Sequence, residues 1–160
     1  MRILFVCTGN TCRSPMAEAI GRQVAAERGL GDVVVESAGT GAYDGTTASD
    51  GALLVALERG VDLSGHRARA LTRDIVAGAD AILVMSGQHL RRVEDLGGAG
   101  KSFLLTDYAS RGNSTRTVSD PFGGDLSTYR ATYEELEDEI RRVFDRLVPH
   151  GASPSGPSAE

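Results

Sequence analysis

Near the start of the chain, residues 2–7 (Arg-Ile-Leu-Phe-Val-Cys) form an almost wholly apolar run, and a turn-forming segment, Thr8-Gly9-Asn10-Thr11, follows with no spacer. A strand with one face in water alternates apolar and polar residues. A run with no polar face has to be covered on both sides, as in the central strands of a parallel sheet. A second such run lies at 81–85 (Ala-Ile-Leu-Val-Met), with weaker ones at 33–35 (Val-Val-Val) and 103–105 (Phe-Leu-Leu). Helical signals fall between and after them. Met16, Ile20 and Val24 repeat every fourth residue behind Ser14-Pro15, which reads as an N-cap and first helical position. Leu53, Leu54 and Leu57 follow a Ser49-Asp50 start and stop at Gly60, and Thr72 can cap a short helix carrying Ile75 and Val76. The last helix has the clearest stripe: Tyr129, Tyr133, Leu136, Ile140, Val143 or Phe144, and Leu147. Strands alternating with helices predict an α/β fold, a doubly wound four-stranded parallel sheet with helices on both faces.

The chain has 160 residues, 41% of them hydrophobic, enough for one core of ordinary size. A single domain over 1–148 is expected, followed by a flexible tail, 149–160, rich in Pro, Ser and Gly. The net charge of −5 argues against a protein whose partner is nucleic acid or an anionic membrane, and no apolar run reaches spanning length. Any affinity for phosphate must therefore come from a local arrangement. Two cysteines, Cys7 and Cys12, are neither a disulfide framework nor a zinc set, so no metal and no cofactor are expected, and a reduced, cytoplasmic setting is the default.

In sheets of this kind ligands bind beyond the carboxyl ends of the strands. Here that position holds Cys7-Thr8-Gly9-Asn10-Thr11-Cys12-Arg13-Ser14 and then a helix N-terminus. Such a loop can aim its backbone N–H groups inward as a phosphate-binding nest between strand 1 and helix 1. Gly9 would let the backbone bend closely, and Asn10 tolerates positive φ. Arg13 adds a planar fork that matches two phosphate oxygens. Cys7 lies at the floor, where the helix dipole, the N–H donors, Arg13 and the Ser14 hydroxyl would all favour the thiolate, the nucleophilic form. The bland reading, a cysteine that merely ends a buried strand, does not explain an arginine six positions on with a helix directly behind it.

These residues resemble the low-molecular-weight protein-tyrosine phosphatases. Cys7 to Ser14 matches their C-x5-R-S signature, and TCRSPMAEA (11–19), ESAGTGA (36–42), GHRAR (65–69) and SDPFGGD (119–125) resemble family segments in the same order, spanning residues 1 to about 147. The resemblance implies a phosphorylated protein substrate, Cys7 as nucleophile, Arg13 as phosphate clamp, and Asp120, before Pro121, as general acid for the leaving group. On local pattern alone, Asp120-Pro121 with two glycines behind it is ordinary turn chemistry. The resemblance further implies that Asn10 and Ser14 hold the loop, with Thr8, Gly9, Thr11 and Cys12 completing the phosphate site. It implies that Glu18 pairs with His66, although His66 taken by itself also reads as a surface residue beside a basic patch. Family analogy gives Cys12 a redox role as a reversible disulfide partner of Cys7; its alternative is a small buried residue. His89 and His150 read as solvated.

Two departures bear on the substrate. Members acting on phosphotyrosine commonly carry a bulky aliphatic residue at the position of Thr11 and two tyrosines after the Asp-Pro; here Phe122-Gly123-Gly124 follow. Both departures resemble the bacterial protein-arginine phosphatase branch of the family, because a Thr11 hydroxyl could serve a guanidinium nitrogen where an aliphatic side chain would suit a phenol. Tyr43 with Phe122 could instead supply an aromatic slot for phosphotyrosine. Thioredoxin-coupled arsenate reductases share fold and loop but relay oxidation through cysteines further on; this chain has none after Cys12, so that reading needs an external thiol. A phosphate-binding module without catalysis would not need a thiol, an arginine and an Asp-Pro together. The sequence leaves oligomeric state open.

Overall fold

The computed structural model describes residues 1–147; residue 148, the tail expected at 149–160 and His150 lie outside the described residues. Four strands, β1 (Arg2–Cys7), β2 (Val34–Gly39), β3 (Ala81–Val84) and β4 (Ser102–Leu104), form one sheet in the order β2-β1-β3-β4, with every pairing parallel. The α-helices are α1 (Arg13–Glu27), α2 (Asp50–Glu58), α3 (Arg73–Gly78), α4 (Gly87–Val93), α5 (Leu105–Ser110) and α6 (Leu126–Leu147), and a short π-helical segment, Glu94–Gly98, follows α4. Because successive side chains of a strand point to opposite faces, Ile3, Phe5 and Cys7 enter a large core with α1, α2, α5 and α6. Leu4 and Val6 enter a smaller one with Val76 of α3 and Val93 of α4. Helices thus cover both faces, as the two-sided apolar runs require. No helix among the described residues is long and apolar enough to cross a membrane.

The chain leaves β1 for β2 on one side and reaches β3 on the other. The carboxyl edge between β1 and β3 is therefore the topological switch point, where the two crossovers diverge and a crevice opens. Cys7 ends β1 at that edge, opposite Gly39 of β2.

Two helices differ from the sequence reading. Helix α1 begins at Arg13 with Cys12 in the N-cap position, so Ser14 lies in the first turn and does not cap it. Its hydroxyl is engaged by Cys7 and Asn10 instead. In α2 the buried face is Ala52, Val55 and Ala56; Leu54 and Leu57 are exposed and Leu53 only partly covered. The reason is close approach to α6. A Cβ at Gly51 would lie 2.4 Å from the ring of Tyr129, so only small residues fit on that side. The caps at Ser49 and Thr72 form as expected, each hydroxyl accepting from the N–H three residues on. Helix α6 buries the expected stripe from Tyr129 to Phe144, with both Val143 and Phe144 inside, while Leu147 is only partly covered. Arg59 lies over the Tyr133 ring and pairs with Glu134 and Glu137, tying the end of α2 to α6.

Candidate active site

The loop from Thr8 to Cys12 is held by its carbonyls. Those of Cys7 and Thr8 accept from Thr40 and Gly41 N–H at 2.9 Å each, that of Thr11 from Ser49 N–H at 2.9 Å, and that of Cys12 from Met16 N–H at 3.2 Å. The Asn10 carbonyl accepts from His66 Nε2 at 2.7 Å, which fixes the proton of His66 on that nitrogen. Among the described residues none of the backbone N–H groups of Thr8 to Ser14 donates to a carbonyl. With most of the carbonyls engaged by neighbouring segments, the N–H groups of the loop and of the N-terminus of α1 are left without carbonyl partners. That is an anion cradle by both hydrogen bonding and dipole.

Asn10 adopts φ +56°, the left-handed conformation, and is fully buried. Its side chain repays the strain. The amide oxygen accepts from Arg69 N–H at 3.0 Å, which assigns Nδ2 as the end that donates to both Ser14 Oγ (2.8 Å) and Ser37 Oγ (2.9 Å). Ser37 then passes its own proton to Glu18 at 2.5 Å. Since the Ser14 oxygen already accepts from Asn10, its hydroxyl proton is free for the Cys7 sulfur 2.9 Å away. A polar chain therefore ends in an O–H directed at a buried thiol.

Arg13 is 6% exposed. Its Nη1 donates to the Val118 carbonyl at 2.9 Å, Nη2 lies 3.6 Å from Asp120 Oδ2, and Nε has no partner. A buried guanidinium N–H without an acceptor is costly unless an anion arrives to take it. Val118 in turn donates its N–H to the Met85 carbonyl at the end of β3, which carries the segment beyond α5 back over the carboxyl edge and brings Asp120 to the mouth. The resulting pocket, about 220 Å³, is lined by Cys7, Thr8, Gly9, Thr11, Cys12, Arg13, Asp120 and Phe122. Asp120 is half exposed there, and its Oδ1 accepts from Phe122 N–H at 3.1 Å.

Asn10 and Ser14 act on the loop from behind, both fully buried and outside the pocket lining. Several expectations need correction. Gly9 takes no special conformation, and a Cβ on it would make an ordinary 3.5 Å contact with Thr11 Oγ1. The close approach that demands glycine is at Gly39, where a Cβ would lie 2.4 Å from the Thr8 carbonyl oxygen. Glu18 does not pair with His66: it holds Arg22 and Ser37, while His66 holds the loop backbone. Tyr43 is 84% exposed and stands outside the pocket lining, so Phe122 is the aromatic at the mouth.

His89 is the residue the sequence reading missed. It is not solvated but 2% exposed, with Nε2 2.8 Å from Thr8 Oγ1 and Nδ1 3.1 Å from Ser86 Oγ. Burial, aided by the Arg13 charge and opposed by Asp120, pulls its pKa down to about 4. The available signal was its place just past β3, at the same sheet edge as Cys7. Cys12 sits under the loop, donating to Ser49 Oγ at 3.3 Å and lying 3.4 Å from the Tyr129 hydroxyl. Burial, with that Cys12 contact adding, pushes the Tyr129 phenol up to about 12. Both thiols are free. A larger groove of about 870 Å³ is lined by Glu18, Arg22, His66 and Arg69 among others, and no thiol and no residue of the pocket around Cys7 is in its lining.

A thiol beneath an N–H cradle, at the switch point of a parallel sheet, is the arrangement on which phosphatases working through cysteine are built. Comparison with known proteins agrees. The chain belongs to the low molecular weight phosphotyrosine protein phosphatase family, whose profile matches residues 2–151. A protein-arginine-phosphatase of Bacillus subtilis is 39% identical over 149 residues, covering 92% of this chain and 97% of its own. The low molecular weight protein-tyrosine-phosphatase PtpB of Staphylococcus haemolyticus is 36% identical over 137 residues, covering 85% and 92%. Among solved structures, a cysteine-to-serine mutant of YwlE arginine phosphatase with a phosphorylated active-site serine superposes with a TM-score of 0.87 at 38% identity, covering 94% of this chain and 97% of that one. The protein is a phosphatase.

Proposed function

We propose that the protein hydrolyses phosphoarginine in phosphorylated proteins, through a phosphocysteine on Cys7. In the first step the Cys7 thiolate attacks phosphorus in line with the leaving group. The P–N bond breaks, and Asp120, in its protonated form, delivers its proton to the departing guanidine nitrogen. The equatorial oxygens lie against the loop N–H groups and the Arg13 fork, which hold the charge that develops there. In the second step water, relieved of a proton by the Asp120 carboxylate, attacks phosphorus. The S–P bond breaks, phosphate leaves and the thiolate returns. Ser14, supplied with a hydrogen bond by Asn10, donates to the sulfur in both resting and leaving states. Two free thiols, one of them the nucleophile, suit a reduced, cytoplasmic setting.

The observation that carries the substrate is the polar lining. Thr11 is in the pocket wall where an apolar residue would meet a phenol ring, and Asp120 stands opposite, so a group with N–H donors finds oxygen on its way in. Close similarity along the whole length of an arginine phosphatase supports the same reading. The second reading, phosphotyrosine, is favoured by Phe122, which lines the mouth and is 72% exposed, as a platform for an aromatic leaving group. The two separate by kcat/KM on phosphoarginine and phosphotyrosine peptides of one sequence, in wild type and Thr11→Ile. Phosphoarginine is expected to be the better substrate. The ratio should move toward phosphotyrosine in the variant by about 5- to 150-fold, the worth of one hydrogen bond and one packing change. A wild type that turns over only phosphotyrosine overturns the arginine reading.

A further inference from the structure

A neutral imidazole is buried directly behind the pocket wall. Ser86 and Thr8 bracket the His89 ring, one hydroxyl on each nitrogen, and Arg13 and Asp120 are the charged groups that face it. In its neutral form the ring carries one N–H and one acceptor nitrogen. When Nδ1–H donates to Ser86 Oγ, Nε2 accepts the Thr8 hydroxyl proton. Thr8 Oγ1 then has only lone pairs left to present, and Thr8 is exposed at the pocket.

The need for such an acceptor follows from the chemistry of the pocket. Loop N–H groups and Arg13 all donate, which suits phosphate oxygens. A guanidinium also only donates, and each N–H brought into the pocket unpaired weakens binding. Among the lining side chains, oxygen comes from Thr8, Thr11 and Asp120 alone. Asp120 is committed to proton transfer in the reading given above and Thr11 serves one edge of the group. We propose that Thr8 is a second specificity-determining residue, accepting a guanidinium N–H through Oγ1, and that His89 is the positioning residue that holds the Thr8 proton away from the substrate. This rests on the phosphoarginine reading.

The test is the ratio of kcat/KM for a phosphoarginine peptide to that for para-nitrophenyl phosphate, which cancels differences in active enzyme. Thr8→Val removes the oxygen at constant shape and should lower the ratio about 5- to 20-fold, whereas Thr8→Ser should keep it within about twofold of wild type. His89→Leu should lower it about as far, and His89→Gln, whose carbonyl can take the same proton, should restore most of it. Combining Thr8→Val with His89→Leu should add nothing, since both remove one function. An unchanged ratio in Thr8→Val, or losses that multiply in the double variant, overturns the proposal, and the Thr8 pair decides alone if a His89 variant does not fold. Wild type active on para-nitrophenyl phosphate but not on phosphoarginine overturns the substrate reading together with this one. Wild type active on both, with Thr8→Val unaltered, overturns this one only.

Discussion

At the scale of single residues, the site is built by deciding which end of each polar group is already occupied. Ser14 can donate to Cys7 because Asn10 has filled its acceptor side, and Asn10 can donate because Arg69 N–H has claimed its oxygen. Arg13 uses Nη1 on Val118 and leaves Nε buried without a partner. Asp120 belongs to a different category: half exposed, on a turn, 3.6 Å from that guanidinium, it is placed to act on whatever leaves the pocket. Asp120→Asn should slow release of a poor leaving group by about 10²- to 10⁴-fold, and release of an acidic phenol far less, because the latter needs little protonation. Rates on a series of aryl phosphates of graded acidity check this. Equal losses across the series would make Asp120 an organiser of its turn, a role its bond to Phe122 N–H could serve.

Among the elements, the junction of β1 with β2 and the seam between α2 and α6 do most to aim the loop. Gly39 is the pinch point. It sits opposite Cys7 in the sheet with its N–H on the Arg69 carbonyl and its carbonyl on Leu71 N–H, so it cannot move aside for a side chain. Gly39→Ala should cost about 1–3 kcal/mol or more by overpacking against backbone, and should also lower activity, because the atom it meets is the Thr8 carbonyl. Urea unfolding and turnover of para-nitrophenyl phosphate measure the two effects on one sample. On α2, Val55→Ala should cost about 1–3 kcal/mol and Leu57→Gln less than about 0.5 kcal/mol, since Val55 is wholly buried and Leu57 is 58% exposed. The reverse order of losses would mean that the leucines, and not the small residues, carry that helix.

For the molecule as a whole, His89 links the site to stability. Its pKa of about 4 in the folded protein lies below the ordinary 6.5, so between those values the unfolded chain binds the proton and the folded one does not. Stability from this group is therefore complete above about pH 6.5 and lost as the pH falls toward 4. At pH 4.5 the loss should reach about 2–3 kcal/mol. Urea titrations at pH 7 and 4.5 should show that loss reduced in His89→Gln, and an equal fall in both proteins would remove His89 as its source. The sequence by itself determined the sheet, because short runs with no polar face suit strands covered on both sides, although Leu105 of the last run opens α5. It determined the chemical floor, because Cys7, Arg13 and a helix start are neighbours in the chain, and local sterics and hydrogen bonding suffice to bring them together. Tertiary structure alone decided the rest. The faces of α2 were misread because periodicity cannot tell that Tyr129, 78 positions beyond Gly51, leaves room only for small side chains. The glycine that matters is Gly39 and not Gly9, since the clash is between strands and not within the loop. His89, 81 positions from Thr8, became part of the site only when β3 took its place beside β1. Burial and partner are properties of that juxtaposition, and no spacing along the chain encodes them.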